Sequence, residues 1–265
     1  MSPIWGADRQ VAACQRPNVE LPLPLGTTHS RDREMLGDPI FWIFVLPGLL
    51  LGAYAQSRIK INIAKYSQVG TQDGITGAQV ARRLLDSQGL RNVAVESTPG
   101  MLSDHYDPRS KTLRLSQEVY FAPSVAAAGI AAHEAGHALQ DAVDYFPLEA
   151  RTYIVPVVQL ASQTAPVAVY RRSDVAASDA RLGRRHSLFG VSSVFALITL
   201  PVEFNASVRA QELLIRHGII RGDEQIVGVQ KVLGAAAWTY VAAAVSAIGS
   251  WLFYVFVLLS QARYR

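Results

Sequence analysis

Cysteine and charged side chains are both scarce in this sequence, and each shortage excludes a class of protein. Cys14 is the only cysteine among 265 residues, so the chain cannot hold an intramolecular disulfide framework or a cysteine-rich zinc module. Charged residues make up 17% of the chain, whereas about 25% is usual for a soluble domain. Hydrophobic residues make up 50%, which excludes a disordered tail or an array of linkers.

The shortage of charge is concentrated in four stretches that contain no charged side chain. A membrane-spanning helix needs about 20 mostly apolar residues. The first and last stretches meet this requirement, and Trp42 and Trp251 are suitable anchors at the membrane interface. The second stretch contains two prolines and the third is short, so a buried helical hairpin is the alternative interpretation of this pair. The four stretches are Pro39–Ser57, Thr152–Tyr170, Ser187–Val202 and Val232–Ala262.

The positive charge lies mainly beside these apolar stretches. The net charge is +4 and the isoelectric point is near 9.3, which would suit either nucleic acid or an anionic membrane surface. Basic residues at the ends of apolar stretches favour lipid headgroups, so no nucleic-acid partner is expected. We therefore predict an integral protein of the plasma membrane with about four transmembrane helices. The basic residues divide almost evenly between the two sides of that topology and do not orient it.

Residues 58–150 have the pattern of a small folded domain in the order helix, strands, helix. Thr76 is suited to cap the first helix and Ser124 the last, because a hydroxyl at this position accepts a backbone hydrogen bond. The last strand is predicted to be half-exposed, either as an edge that pairs with an extended peptide or as an ordinary sheet strand. Alternating polar and apolar residues place the strands at Asn92–Glu96, Leu102–Tyr106 and Lys111–Leu115.

The second of these helices carries a metal-binding motif, HExxH, at His133-Glu134-Ala135-Gly136-His137. Residues four apart lie on one face of a helix, so the imidazoles of His133 and His137 can reach a single ion. Zinc prefers such nitrogen ligands and activates water for attack on a carbonyl. Glu134 is offset by one position, where it can accept a proton from that water without being a ligand. The motif therefore predicts a catalytic zinc site with Glu134 as general base.

A catalytic zinc site needs a third protein ligand. The downstream candidates are His186, Glu203, Glu212 and His217. If all four apolar stretches span the membrane, His186 lies on the opposite side and is excluded. Glu203 directly follows the third stretch, which makes it the acid best placed for burial near the site. Its alternative role is to end a membrane helix at the interface, where charges commonly lie.

Three separate motifs carry a resemblance to a known family: DHYDPRSKTLRLS, HEAGHALQ and PVEFNAS. With them the chain resembles the YugP-type neutral zinc metallopeptidases, a family of membrane proteases related to those of the HtpX type. The resemblance runs from about residue 40 to the C-terminus and leaves out 1–38. It implies a zincin with a glutamate ligand, in which one zinc ion is held by His133, His137 and Glu203 and Glu134 is the catalytic base.

The resemblance also raises the question of which residues support the zinc ligands. Related enzymes often carry an aspartate four residues after the ligand glutamate, where it supports a histidine. This sequence has Ser207 there, with Asp141 and Asn205 as candidate substitutes. The charge that forms on the substrate oxygen needs a hydrogen-bond donor. His105, Tyr106 and His217 are candidates, and none of them is assigned.

Taken together, these patterns predict a mainly helical α+β protein, with a small zincin-like domain that contains the HExxH helix and about four transmembrane helices. The predicted function is a membrane-embedded zinc endopeptidase that acts on proteins or peptides, membrane proteins included. The alternatives are an intramembrane metalloprotease and a non-hydrolytic zinc-binding or scaffold protein. The predicted regions are a disordered extension (1–38), a transmembrane helix (39–57), the catalytic domain (58–150), a helical hairpin with the third ligand (151–231) and a transmembrane helix (232–262).

Overall fold

The computed structural model describes residues 39–156, 158 and 178–262. The predicted disordered extension, 1–38, lies outside the described residues, as does most of the second apolar stretch, 152–170. The described part of the chain is mostly helical and contains one small three-stranded sheet. This confirms the prediction of a mainly helical chain with a minor β component.

The elements are numbered here in chain order. Residues 146–156 are also helical and are left without a label. The labelled elements are α1 (Pro39–Tyr66), α2 (Gly77–Ser87), β1 (Ala94–Thr98), β2 (His105–Asp107), β3 (Thr112–Ser116), α3 (Gln117–Tyr120), α4 (Val125–Ala142), α5 (Ser178–Arg216) and α6 (Gly222–Ala262).

Two helices of the described chain, α1 and the Gly222–Val257 part of α6, are long and apolar enough to cross a membrane. In their most apolar windows only 11% and 22% of the residues are buried, unlike the core helix of a soluble protein. The two helices pack along each other. These observations agree with the first and last predicted spans. The third apolar stretch lies within α5, and the four-span topology stays a prediction.

The sheet has the strand order β1-β3-β2, with β1 parallel and β2 antiparallel to β3. Because both neighbours pair with it, β3 is the central strand, and Leu113 and Leu115 are fully buried in the core. The prediction that Lys111–Leu115 is half-exposed is therefore wrong, and so is its role as an edge strand. The alternation of polar residues misled the prediction, since Thr112 and Ser116 are buried as well. The edge strand next to the HExxH helix is β2.

The N-caps of α2 and α4 form as predicted. Thr76 and Gln79 make a reciprocal capping box on α2, and the Ser124 hydroxyl accepts a hydrogen bond from the Ala127 amide on α4. Helix α4 packs against α2, α5 and α6, and 14 of its 18 residues are buried. Gly136 lies at the crossing with α5, where an added Cβ would come within 2.8 Å of the Ala206 carbonyl oxygen. This close approach at Ala206 brings the PVEFNAS segment to the HExxH motif.

Candidate metal centre

Helices α4 and α5 bring three metal-binding side chains together. The Nε2 atoms of His133 and His137 lie 3.1 Å and 3.6 Å from Oε2 of Glu203, and one ligand atom from each residue falls within a group no wider than 4.8 Å. Ligands at 2.0–2.1 Å from a tetrahedral ion are roughly 3.3 Å apart, so the two measured distances bracket that value. Two imidazoles and a carboxylate are also a donor set that catalytic zinc takes. The residues present therefore fit a zinc ion.

The other sequence candidates for the third ligand do not join this group. Glu212 is exposed to solvent further along α5. His217 lies beyond the end of α5 and does not line the cavity at the HExxH motif. The side chain of His186 lies outside the part of the chain that the structure describes. Among the described residues, Glu203 is thus the candidate that the fold brings to the two histidines.

A cavity of about 420 Å³ opens onto the three side chains. Glu134 lines it and is 92% buried, on the same helix as the histidines. The strand β2 and its flanking residues, 104–109, form another wall, so His105 and Tyr106 line the cavity as well. A proton acceptor, three metal-binding atoms and the edge of a sheet thus share one space.

The atoms of these side chains that face away from the metal site, Nδ1 of each histidine and Oε1 of Glu203, each lie within hydrogen-bond distance of a further residue. Nδ1 of His133 lies 3.1 Å from the Ser207 hydroxyl, and Nδ1 of His137 lies 2.9 Å from Oε1 of Gln140. Arg151 donates a hydrogen bond of 2.7 Å to Oε1 of Glu203. Ser207 therefore occupies the supporting position that an aspartate fills in related enzymes, and its hydroxyl reaches the ring.

The two proposed substitutes for that aspartate contact other groups. Asp141 accepts hydrogen bonds from the Tyr106 hydroxyl at 2.6 Å and from the Lys111 ammonium group. It joins the β2–β3 hairpin to α4 and does not reach a histidine. Burial and the bond to Asp141 raise the pKa of Tyr106 well above its usual range, so this hydroxyl stays protonated and directed at Asp141. Asn205 contacts Gln140, at 3.0 Å, and so reaches His137 only through that side chain.

The charges of Glu203 and the two histidines are strongly coupled. Burial acts to raise the pKa of Glu203, but hydrogen bonds with His133 and His137 and their positive charge outweigh it and hold the pKa well below its usual range. Burial acts to lower the pKa of His137, but the hydrogen bond with Glu203 and the nearby charge of Glu134 raise it overall. A metal ion bound here would displace any proton on Nε2 of His137, since metal ligands must be deprotonated.

Comparison with known proteins agrees with this donor set. A family described as "Putative neutral zinc metallopeptidase" matches residues 41–259. The chain belongs to this family. Its name gives zinc as the metal, and His133, His137 and Glu203 are positioned to bind a metal ion. The family resemblance and the zinc cofactor predicted from the sequence are thereby confirmed.

A curated protein is similar to this chain along most of its length. A protein of Bacillus subtilis (strain 168), "Putative membrane protease YugP", is 44% identical over 221 residues, which are 83% of this chain and 97% of the relative. The name of that relative describes a protease and a membrane location. No solved structure matches the chain.

Three polar residues near the site were missed by the analysis of the sequence. Gln140 follows His137 by three positions on one helix face, so helical spacing could have indicated it. Arg151 and Tyr240 carry no such signal, because they come from a different helical segment and from α6. Both line the cavity, and the Tyr240 side chain lies close enough to interact electrostatically with Glu203 and Arg151. Tertiary packing alone brings them to the motif.

Proposed function

We propose that the protein is an integral membrane zinc endopeptidase, in which His133, His137 and Glu203 hold one zinc ion and Glu134 is the general base. The observation that carries this proposal is the meeting of three metal-binding atoms and a buried carboxylate in one cavity. A non-hydrolytic zinc site has no need of the fourth group. The name of the Bacillus relative supports a protease attached to a membrane.

The chemistry divides between the metal and the side chains of this chain. Zinc at this position would polarise the scissile carbonyl and lower the pKa of a water molecule. Glu134 takes the proton from the attacking water and passes it to the leaving amine. Its burial among apolar residues of α4 keeps the carboxylate close to the reacting atoms and away from bulk water. Arg151 holds Glu203 from the side away from the histidines, so that Oε2 faces them.

Two cavity residues can donate hydrogen bonds to the oxygen on which charge develops. Tyr240 carries a hydroxyl and Arg151 a guanidinium group, and both line the cavity with the proposed ligands. A donor directed at that oxygen stabilises the transition state most strongly where water is excluded. Two of the earlier candidates are less suitable, because the Tyr106 hydroxyl is bonded to Asp141 and His217 lies outside the cavity. The third, His105, lines the cavity with Nδ1 at 2.7 Å from the Ser103 carbonyl oxygen.

The substrate is a protein or peptide bound in extended form along β2. This strand pairs with β3 on one side only and lines the cavity with its residues. An edge strand offers free backbone groups to an added strand, so the recognition would depend on the peptide backbone more than on its side chains. Membrane proteins are suitable substrates if α1 and α6 span a bilayer, as proposed here.

The proposed topology keeps about four transmembrane helices in the plasma membrane, of which α1 and α6 are two. Helix α4 is not one of the helices in the described chain that are suited to cross a bilayer. It packs against α2, α5 and the sheet, and polar residues of β2 face its cavity. These contacts favour a site at the membrane surface over one inside the bilayer.

Glu134→Gln tests the mechanism, because it removes the base and keeps the shape of the side chain. Purified in detergent, this variant should retain its zinc and cleave casein about 10²- to 10⁴-fold more slowly than the wild type. Glu212→Gln makes the same change at an exposed position of α5 and should leave both quantities unchanged. Cleavage at the wild-type rate by Glu134→Gln would disprove the assigned base. A wild-type protein that binds zinc but cleaves no peptide would instead favour the scaffold alternative.

A further inference from the structure

A line of four hydrogen-bonded side chains runs from the surface of α5 to the HExxH motif. Nε of Arg209 donates to Oδ1 of Asn205 at 2.8 Å, and Nε2 of Gln140 donates to the same oxygen at 3.0 Å. Nε2 of Gln140 also donates to the Val202 carbonyl oxygen at 2.8 Å. Oε1 of Gln140 lies 2.9 Å from Nδ1 of His137. Gln140 is fully buried, so its hydrogen bonds are all made within the protein.

The direction of every bond in this line is determined by two groups of fixed polarity, the Arg209 guanidinium group and the Val202 carbonyl. The guanidinium group of Arg209 can only donate, which makes the facing atom of Asn205 its oxygen. The Val202 carbonyl can only accept, which makes the facing atom of Gln140 its nitrogen. With the Gln140 amide turned the other way, its oxygen would face two acceptors, and unpaired buried polar atoms are costly. The orientation of Gln140 is therefore determined by groups on α5 alone.

We propose that Gln140 is a positioning residue that fixes the tautomer of His137, with the proton on Nδ1 and the lone pair of Nε2 directed at the metal site. The oxygen of Gln140 can only accept, so the ring nitrogen that faces it must carry the hydrogen. In the zinc-loaded protein Nε2 would then carry no proton, and it points towards Glu203. This inference rests on the proposed function, because it assigns a role in holding the same zinc ion.

The two histidines differ in whether the partner of Nδ1 fixes the tautomer of the ring. Nδ1 of His133 faces the Ser207 hydroxyl, which can donate or accept and so determines no tautomer. Nδ1 of His137 faces an atom that can only accept. Partners that orient a metal-bound histidine typically change metal affinity by roughly 10- to 100-fold when they are removed. Removal of the Gln140 amide should therefore lower zinc affinity much more than removal of an amide elsewhere that lowers thermal stability by a similar amount.

Gln140→Met keeps the length of the side chain and removes its hydrogen bonds to His137 and α5. Zinc affinity, measured by competition with a chelator on folded protein in detergent, should fall by about 10- to 100-fold. Gln225→Met is the matched control, because Gln225 also bridges two segments through one accepted and one donated backbone bond, far from the site. It should lower thermal stability without changing zinc affinity. Equal zinc affinities of Gln140→Met and the wild type would overturn the inference.

A second pair of variants tests the direction of the bonds. Asn205 acts only as an acceptor towards Gln140 and Arg209, so Asn205→Asp should bind zinc within about two-fold of the wild type. Asn205→Leu removes the acceptor and should weaken zinc binding. Equal losses in the two variants would overturn the assigned polarity, since an acceptor at this position would then make no difference.

A measurement on the wild type keeps the inference testable if no Gln140 variant folds. In zinc-loaded protein labelled with ¹⁵N-histidine, NMR should find the proton of His137 on Nδ1. A proton on Nε2 would overturn the inference. Two failures can also be told apart: a wild type that binds no zinc overturns the metal centre and this inference with it. A wild type that binds zinc as tightly as Gln140→Met overturns the inference alone.

Discussion

The two helices that build the metal centre differ in almost every respect. Helix α4 is 18 residues long, has a serine N-cap, and is buried along most of its length. Helix α5 is 39 residues long, contains Pro201, and has several exposed apolar side chains among the residues around Glu203. The first contributes two histidines and a glutamate within five consecutive residues. The second contributes Glu203 from 70 positions away in the sequence.

The difference shows a division of roles. Helix α4 supplies most of the reactive side chains, and α5 supplies most of the contacts that orient them. Three residues of α5 support the two histidines. Ser207 contacts His133 directly, and Asn205 and Val202 bond to Gln140, which contacts His137. Without them the HExxH face of α4 would offer two imidazoles with no defined orientation. Three substitutions at the α4–α5 contact and one where α4 meets the β2–β3 hairpin test this division, and they follow in order of decreasing expected effect on zinc binding.

Glu203→Ala should have the largest effect, because it removes the one proposed ligand that α5 supplies. Zinc affinity should fall by more than the roughly 10- to 100-fold that a supporting residue costs. Plasma emission analysis of purified protein should find little zinc. Glu212→Ala, at an exposed position of the same helix, should retain full occupancy. Wild-type zinc content in Glu203→Ala would remove Glu203 from the ligand set.

Gly136→Ala should separate the helices while leaving every polar group in place. The new methyl group would lie 2.8 Å from the Ala206 carbonyl oxygen, a backbone atom. Overpacking of this kind costs about 1–3 kcal/mol of unfolding free energy, and zinc affinity should fall because Glu203 moves with α5. Gly129→Ala on the same helix meets Val229 at an ordinary 3.6 Å and should be tolerated. Thermal unfolding and zinc affinity that match in the two variants would contradict the close approach.

Ser207→Ala should weaken zinc binding by about 2- to 10-fold, since a neutral hydrogen bond contributes roughly 0.5–1.5 kcal/mol. The hydroxyl lies 3.1 Å from Nδ1 of His133, and the ring can still bind a metal without it. Thr199→Val is the control on α5, because that hydroxyl bonds only to the Phe195 carbonyl of its own helix. A loss in Ser207→Ala as large as that in Gln140→Met would mean that the two histidines are supported equally.

Asp141→Asn should leave zinc binding almost unchanged and raise KM for peptides a few-fold. Asp141 joins Tyr106 and Lys111 to α4 and so holds the strand proposed to bind the substrate. The pair with Lys111 is partly exposed, so its loss should cost about 1 kcal/mol or less. Asp144→Asn, just beyond the end of α4, is the control at an exposed position. An unchanged KM would show that β2 does not carry the peptide.

Local signals in the sequence predicted α4 well and the sheet less well. Ser124 and the HExxH spacing are properties of neighbouring residues, and the structure has the helix where they place it. The same reasoning placed a strand at Lys111–Leu115 but gave it the wrong exposure. Alternation shows which residues share a face, whereas a strand becomes central only when two other strands pair with it. For that reason the edge at the cavity, β2, could not be identified beforehand.

Elements whose causes lie within a few residues follow from the sequence: the capped helix with its two histidines and glutamate, and the apolar helices α1 and α6. The sequence also marked Glu203 as the acid best placed for the site, since it follows directly on an apolar stretch. Three contacts arise only when the helices pack together: Gly136 with Ala206, Gln140 with α5, and Arg151 with Glu203. These contacts join residues dozens of positions apart, and helical spacing carries no information about such distances.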